Sequence, residues 1–231
     1  MSKTLTYNFK EGATVLIDKP LEWTSFDVVK RVRNVTKAKT GHAGTLDPLA
    51  TGLLILCTGK NTKKIESLQG MDKEYTGTFF LGATRPSFDK ETEVDQEFPT
   101  EHISEADIKK CAESFIGASE QAAPIYSALK VDGKRMYEAA RKGEKVKAKI
   151  RPVTIHEFEI EKVEMPLVHF RIKCSKGTYI RSIANDFGKK LNSGAYLNSL
   201  IRTKIGDLLL EDAWNLEEFT NTFRQTKNQV S

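Results

Sequence analysis

The segment Gly41-His-Ala-Gly-Thr-Leu-Asp-Pro-Leu-Ala-Thr-Gly52 places one carboxylate, Asp47, between Gly44 and Gly52 and directly before Pro48. Glycine tolerates backbone conformations that other residues avoid, so such a segment can approach a ligand closely. Pro48 fixes its own φ and pushes Asp47 toward an extended backbone. A carboxylate presented in this way can act as a nucleophile, as a general acid or base, or only as a turn former, and Asp-Pro taken alone is more often the last. Taken alone, Tyr75 on an alternating segment reads as core. Arg181 alone could bind phosphate or form a structural ion pair.

Other chemistries find little support. The four histidines (His42, His102, His156, His169) have no ligand spacing, and Cys57, Cys111 and Cys174 form no Cys-x-x-Cys pair. A metal centre and a disulfide framework are therefore not expected, and the cysteine usage suits a reducing cytoplasm. Ser127-Ala-Leu-Lys130 and Lys39-Thr40-Gly41 match two short motifs of penicillin-recognising enzymes. They stand in reversed order, with no Ser-Asp-Asn between them and no export signal. No apolar run approaches the roughly 18 residues that a membrane span needs.

Charge is segregated along the chain. Residues 128–151 hold nine cations and three acids, a net +6, while the remainder of the chain sums to −1. Lys30, Arg31, Arg33, Lys37 and Lys39 follow one another without an acid, whereas 89–107 carries eight acids against Lys90 alone. Clustered Lys and Arg are the electrostatic footprint of a phosphate backbone, with a solvated surface as the plain alternative.

The elements that must position these residues are mixed. Thr14–Asp18 and Leu53–Cys57 read as buried strands, Glu74–Leu81 as an alternating strand, and Val153–Val163 with Leu167–Cys174 as strands that can pair. Helices are expected from Thr24 to about Thr36, Lys60 to Leu68, Ser104 to Phe115 behind a capping box, and Ile180 to Leu191. Thr40–Thr51 reads as a loop. Ser127–Val131, Asp132-Gly133 and Lys134–Arg141 read as strand, turn and short helix, and the polar tail beyond Asn221 is expected to fray. Without regular β-α-β alternation the class is α+β, with a mixed, largely antiparallel central sheet flanked by helices.

The longer string 41–52 closely resembles the catalytic loop of the bacterial tRNA pseudouridine-55 synthases, the TruB type. Further segments resemble the same family in the same order: Val15-Leu-Ile-Asp-Lys19-Pro20, Lys73-Glu-Tyr75, Ala123-Pro-Ile-Tyr-Ser-Ala-Leu-Lys130, Cys174-Ser-Lys-Gly-Thr-Tyr179-Ile-Arg181 through Gly188, and Gly194-Ala-Tyr-Leu-Asn-Ser-Leu200-Ile-Arg202. The resemblance runs from about Thr14 to Leu216. It implies a pseudouridine synthase fold in a single catalytic domain, 1–231, with a basic RNA-binding clamp inserted at about 124–152.

The resemblance also implies roles. Asp47 would be the catalytic aspartate, attacking either the sugar or the base. Arg181 would pair with it and keep it ionised, and Tyr75 would lie against the target base. Lys19, His42, Tyr179 and Leu200 would surround the substrate, and Lys130, Lys134 and Arg135 would meet RNA from the clamp. The implied substrate is the T arm of tRNA, with its uridine flipped out of the loop. No cofactor, metal or membrane is implied, and a cytoplasmic monomer is expected. Two departures from the family pattern stand out. At Arg85-Pro86-Ser87-Phe88-Asp89, Pro86 replaces the first of two acids while Asp89 is retained, which leaves open any RNA contact by this loop. The sequence also ends soon after Trp214, so a C-terminal RNA-binding domain is expected to be reduced or absent. Neutralising Lys134, Arg135, Lys145 and Lys147 together should raise KM for tRNA and flatten its salt dependence. An unchanged KM and salt slope would contradict the clamp.

Overall fold

A computed structural model describes residues 7–124, 130–131, 134–135 and 149–225. Strand β1 (Thr14–Lys19) buries Val15, Ile17 and Lys19 on one side. Helix α1 (Ser25–Thr36) opens on the expected cap. The Thr24 hydroxyl accepts from the Asp27 amide, and the Asp27 carboxylate accepts from the Thr24 amide. Two orphan amides are thereby satisfied, and Val28, Val29, Val32 and Val35 form the buried stripe. Strands β2 (Thr40–Ala43) and β3 (Ala50–Thr58) pair antiparallel, His42 opposite Leu56 and Ala43 opposite Ile55. The loop expected over 40–51 is thus reduced to its middle, because pairing with a fully buried strand overrides the local glycine signal.

The helix expected over 60–68 divides into a 3-10 segment, Gly59–Lys64, and α2 (Ile65–Gly70). Neither piece buries a residue, so packing imposes no single helical register. Strand β4 (Lys73–Leu81) follows, then the short pair β5 (Ala83–Thr84) and β6 (Gln96–Glu97). Helix α3 (Glu105–Glu113) carries the expected capping box between Ser104 and Asp107. Strand β7 (Gly117–Ala122) was not anticipated; it lacks an alternating apolar face, with Gln121 the one residue of the strand that is buried.

Strands β8 (Lys130–Val131) and β9 (Lys134–Arg135) pair where a helix from Lys134 was expected. The Asp-Gly between them in sequence is the stronger signal, since it favours a two-residue hairpin. Only the backbone of these four residues is described. Lys145 and Lys147 of the expected clamp lie outside the described residues. Strands β10 (Ile150–Glu164) and β11 (Leu167–Cys174) pair as expected. Helix α4 (Ile180–Lys190), strand β12 (Ala195–Ile205), strands β13 (Leu208–Leu209) and β14 (Trp214–Asn215), and helix α5 (Leu216–Gln225) complete the chain. Helix α5 runs past Asn221 instead of fraying there, because Phe219 is buried and Phe223 packs edge-on against Phe9 and Trp214. Its N-terminus is capped by the Asn215 side chain, which accepts from the amides of Glu217 and Glu218.

The chain divides into two compact units, one of residues up to 74 with 201 onward, the other Tyr75–Leu200. In the first, the strand order is β14-β1-β3 and the 201–205 half of β12, with β2 beside β3 and β13 beside β12. Strand β3 is buried on both faces. Leu54 and Leu56 pack with Val15, Ile17, Val28, Val32, Leu216 and Phe219, while Leu53, Ile55 and Cys57 pack with Ala43 and Ile205. That is why β3 reads as an unbroken apolar run.

In the second unit the order is the 195–200 half of β12, then β4-β11-β10-β7. Phe79, Phe158, Phe170 and Phe187 form its aromatic centre, with Phe79 and Phe170 at 4.2 Å between ring centroids. The β1–β14 pairing is parallel; β1–β3, β2–β3, β7–β10, β10–β11 and β12–β13 are antiparallel. The fold is α+β, as expected. Among the described residues no helix is long and apolar enough to cross a membrane.

Gly77 in β4 marks a close approach of strands, since a Cβ there would lie 2.2 Å from the Ser199 carbonyl oxygen. Gly77→Ala should lower unfolding free energy by about 1–3 kcal/mol, the usual range for overpacking, measured by urea denaturation. A variant as stable as the parent would show that the strands separate freely.

Candidate active site

Between β2 and β3, residues 44–49 carry Asp47, which is half-buried. This short loop is held from three sides within its unit. Ser25, buried at the start of α1, donates through its hydroxyl to the Leu46 carbonyl at 3.1 Å and accepts from the Leu46 amide at 2.9 Å. Lys19, 0% exposed at the end of β1, donates through Nζ to the carbonyls of Pro20 (2.8 Å), Trp23 (2.6 Å) and Pro48 (3.3 Å). An ammonium has three N–H groups, so all of them are used. Arg202, 1% exposed in β12, donates from Nε to the Leu53 carbonyl at 2.7 Å and from Nη2 to the Gly44 carbonyl at 3.1 Å.

The loop also closes on itself, the Ala50 amide donating to the Asp47 carbonyl at 3.1 Å. Its end is set by Gly52, with φ +101° and a position where any Cβ would fall 2.5 Å from the Arg202 carbonyl oxygen. A left-handed backbone and a contact of that closeness both call for glycine.

These contacts shift the local ionisations. Burial pushes the Lys19 ammonium down to about 8, with the Asp47 carboxylate pulling the other way and Arg202 reinforcing the fall. His42 on β2 is also lowered, first by burial and then by Arg202, so its imidazole is neutral at pH 7. A neutral ring suits stacking against a base better than it suits acid catalysis.

In the second unit Arg181, 4% exposed on the first turn of α4, has Nε 3.5 Å from the buried Asp89 carboxylate and donates from Nη1 to the Ser87 carbonyl at 3.3 Å. The turn that supplies both groups is the segment whose sequence departs from the family. The Phe88 amide donates to the Arg85 carbonyl, Phe88 has φ 64°, and the Leu197 amide donates to the Phe88 carbonyl. The Ser87 hydroxyl donates to the Asp89 carbonyl, the Arg85 guanidinium donates to the Thr92 carbonyl, and it also lies 4.7 Å over the Tyr196 ring. The replaced acid at 86 therefore leaves intact a compact turn that holds Arg181.

Tyr75 is buried at the start of this unit on β4. Tyr179 precedes α4, its amide donating to Gln121 Oε1 (2.7 Å) and its carbonyl accepting from Gln121 Nε2 (3.1 Å), with Arg151 5.0 Å over its ring. Leu200 is half-buried on β12. Of the sequence-derived site residues, Lys19, His42 and Asp47 thus belong to the first unit, and Tyr75, Tyr179, Arg181 and Leu200 to the second. For Lys130, Lys134 and Arg135 the described backbone places them on β8 and β9. Sequence reasoning assigned no role to Ser25, Gln121 or Arg202. An arginine in a strand that ends in buried Ile205, and a serine next to a helix-capping threonine, were the available signals.

The fold recurs in solved structures. The chain of a Cbf5-Nop10-Gar1 complex matches with a TM-score of 0.73 at 24% identity over 96% of this chain and 58% of that one. An H/ACA RNP bound to a substrate RNA containing 2'-deoxyuridine matches with a TM-score of 0.72 at 23% identity, over 96% and 57%. This chain therefore spans somewhat more than half of each. Sequence narrows the kinship further. The family described as TruB family pseudouridylate synthase (N terminal domain) matches residues 30–180. A protein from Flavobacterium johnsoniae named tRNA pseudouridine synthase B is 54% identical over 224 residues, covering 94% of this chain and 98% of its own. Its namesake from Phocaeicola vulgatus is 53% identical over 219 residues, covering 92% and 93%. The chain belongs to the TruB family of pseudouridylate synthases.

The lowered Lys19 ionisation has a measurable consequence. Above pH about 8 the amine loses its proton in the folded protein and offers two N–H groups to three carbonyls. Between about 8 and the ordinary 10.5 the unfolded chain holds a proton that the folded chain has released, so global stability rises with pH in that window. Turnover should instead fall, with a midpoint near pH 8, as the loop loses a donor. In Lys19→Arg, which stays charged, this alkaline limb should vanish; its persistence at the same pH would show that another group titrates.

Proposed function

We propose that this chain is a tRNA pseudouridine synthase that isomerises the uridine at position 55 of the T loop, with Asp47 as its essential carboxylate. The observation that carries the reading is the Asp47 loop itself, clamped by Ser25, Lys19 and Arg202 in a chain 54% identical to a protein named for this activity. The reaction breaks the C–N bond between ribose and uracil, turns the base, and forms a bond from the same ribose carbon to C5. The proton on C5 leaves and N1 gains one, so atoms balance within the substrate and no redox partner is required. What the step needs is a carboxylate in fixed geometry and a pocket that receives a flipped base.

The remaining roles follow the family pattern. Arg181, anchored by Asp89 and Ser87, is assigned as the cation that keeps Asp47 ionised and aimed. Tyr75 is assigned to the face of the target base, with its hydroxyl available for proton transfer. Neutral His42 is assigned to stacking where the nucleotide leaves the loop. Lys19 fits a positioning part, since its N–H groups are spent on backbone carbonyls. Tyr179 and Leu200 are assigned to the pocket wall. Residues 124–152, with Lys130, Lys134 and Arg135, are assigned to the T arm, where cations follow phosphates. The enzyme is taken as a cytoplasmic monomer that requires neither metal nor cofactor.

The test uses unmodified tRNA carrying tritium at C5 of uridine. Tritium release to water without free uracil supports isomerisation, whereas free uracil would mark a glycosylase. Asp47→Asn should abolish release and leave tRNA affinity nearly unchanged. A fully active Asp47→Asn protein would overturn the mechanism, and an unmodified T-loop uridine after complete release would overturn the assigned position.

A further inference from the structure

We propose that Arg202 is the positioning residue of the reaction, a single buried guanidinium that ties both ends of the Asp47 loop to one point. Its Nε holds the carbonyl of Leu53, the fourth residue of β3 beyond the loop, and its Nη2 holds the carbonyl of Gly44, the first residue of the loop. The two bonds bracket the whole excursion from β2 to β3. Lys19 and Ser25 hold only the interior of that excursion, at Pro48 and Leu46. Arg202 is among the largest fully buried side chains of the protein, so its charge is retained at a real solvation cost. For structure alone an apolar residue would serve this strand at least as well, since replacing buried charge by packed hydrocarbon is often neutral or stabilising. Its planar fork can hold two carbonyls at once in fixed relative direction, which a lysine cannot do.

The backbone around it is shaped to admit that fork. Gly44 has φ +90° and leaves its Cβ position 3.6 Å from Arg202 Nη1, so the guanidinium lies against bare backbone there. Gly52 has φ +101° and meets the Arg202 backbone directly, bringing β3 within range of the same residue's side chain. His42 and Lys19 are lowered first by burial and then by Arg202, and that second effect is the electrostatic counterpart of the proximity. Arg202 thus acts through the direction of Gly44 and Leu53, and so through the rigidity of Asp47, without touching substrate.

The inference rests on the isomerase reading above, and the experiment separates the two. Tritium release by the parent enzyme is measured first; an inactive parent would fail the isomerase reading and not this one. Arg202→Lys and Arg202→Gln are then compared with the parent in kcat, KM for tRNA and thermal midpoint. Misplacement of a reacting group by about 1 Å can cost on the order of 100-fold, so kcat should fall about 10- to 100-fold in both variants. KM should stay within about twofold, because no substrate contact is removed. Added guanidinium ion at millimolar concentration should restore part of kcat in Arg202→Gln without changing its thermal midpoint. A rise in KM with unchanged kcat would make Arg202 an RNA contact, and parental kinetics in either folded variant would leave it no part in turnover. Failure of both variants to fold would make it a folding residue. Each of these three outcomes overturns the proposal.

Discussion

The site depends on cations that have been taken out of water and given backbone carbonyls in exchange. Lys19 lies fully buried with three carbonyls on its ammonium, and Arg202 lies buried with two on its guanidinium. A buried charge without such partners costs several kcal/mol, so each carbonyl is held where the cation needs it. The loop that bears Asp47 supplies two of those carbonyls, Pro48 and Gly44. Its shape is therefore fixed by the solvation demand of its neighbours together with the burial of Leu46.

The second unit solves a related problem by another route. Arg181 is placed on helix α4, buried over nearly all of 180–188, and its guanidinium is then steadied by Asp89 and the Ser87 carbonyl. The turn from Arg85 to Asp89 has its own internal ties, through Thr92 and Leu197, so the pair is supported by backbone on both sides. Loss of one family acid at position 86 is compatible with this arrangement because the supporting bonds come from a hydroxyl, carbonyls and one retained carboxylate.

Much of this was legible in the sequence where local chemistry decides the outcome. The Thr24 cap, the Ser104 capping box, the apolar run of β3 and the β10–β11 pair stand where pattern places them. Asp47, Tyr75 and Arg181 were singled out by the motifs that contain them. The less legible features depend on contacts distant in sequence. Strand β2 forms because β3 is beside it, and β12 contains Arg202 and Asn198 among its apolar residues, which blurs alternation. The partners of Arg202 lie 149 and 158 residues away, at Leu53 and Gly44, and no local window contains both ends of such a bond. The α5 helix extends beyond its expected frayed end for the same reason, since Phe9 is supplied from the far end of the chain.

The first unit is discontinuous, built from the chain before residue 75 and the chain after residue 200. During synthesis β1 and β3 emerge early, but Arg202 and β14 emerge only after the whole of the second unit. Tyr75–Leu200, by contrast, is contiguous and has its own aromatic centre, so it can assemble while the rest is still being made. The carboxylate loop consequently acquires its final ties only after the second unit has been made. Until β12 is made, Lys19 and Ser25 hold the interior of that loop while the Arg202 bonds to Gly44 and Leu53 are missing, so the catalyst waits on a strand whose second half follows the whole of the second unit.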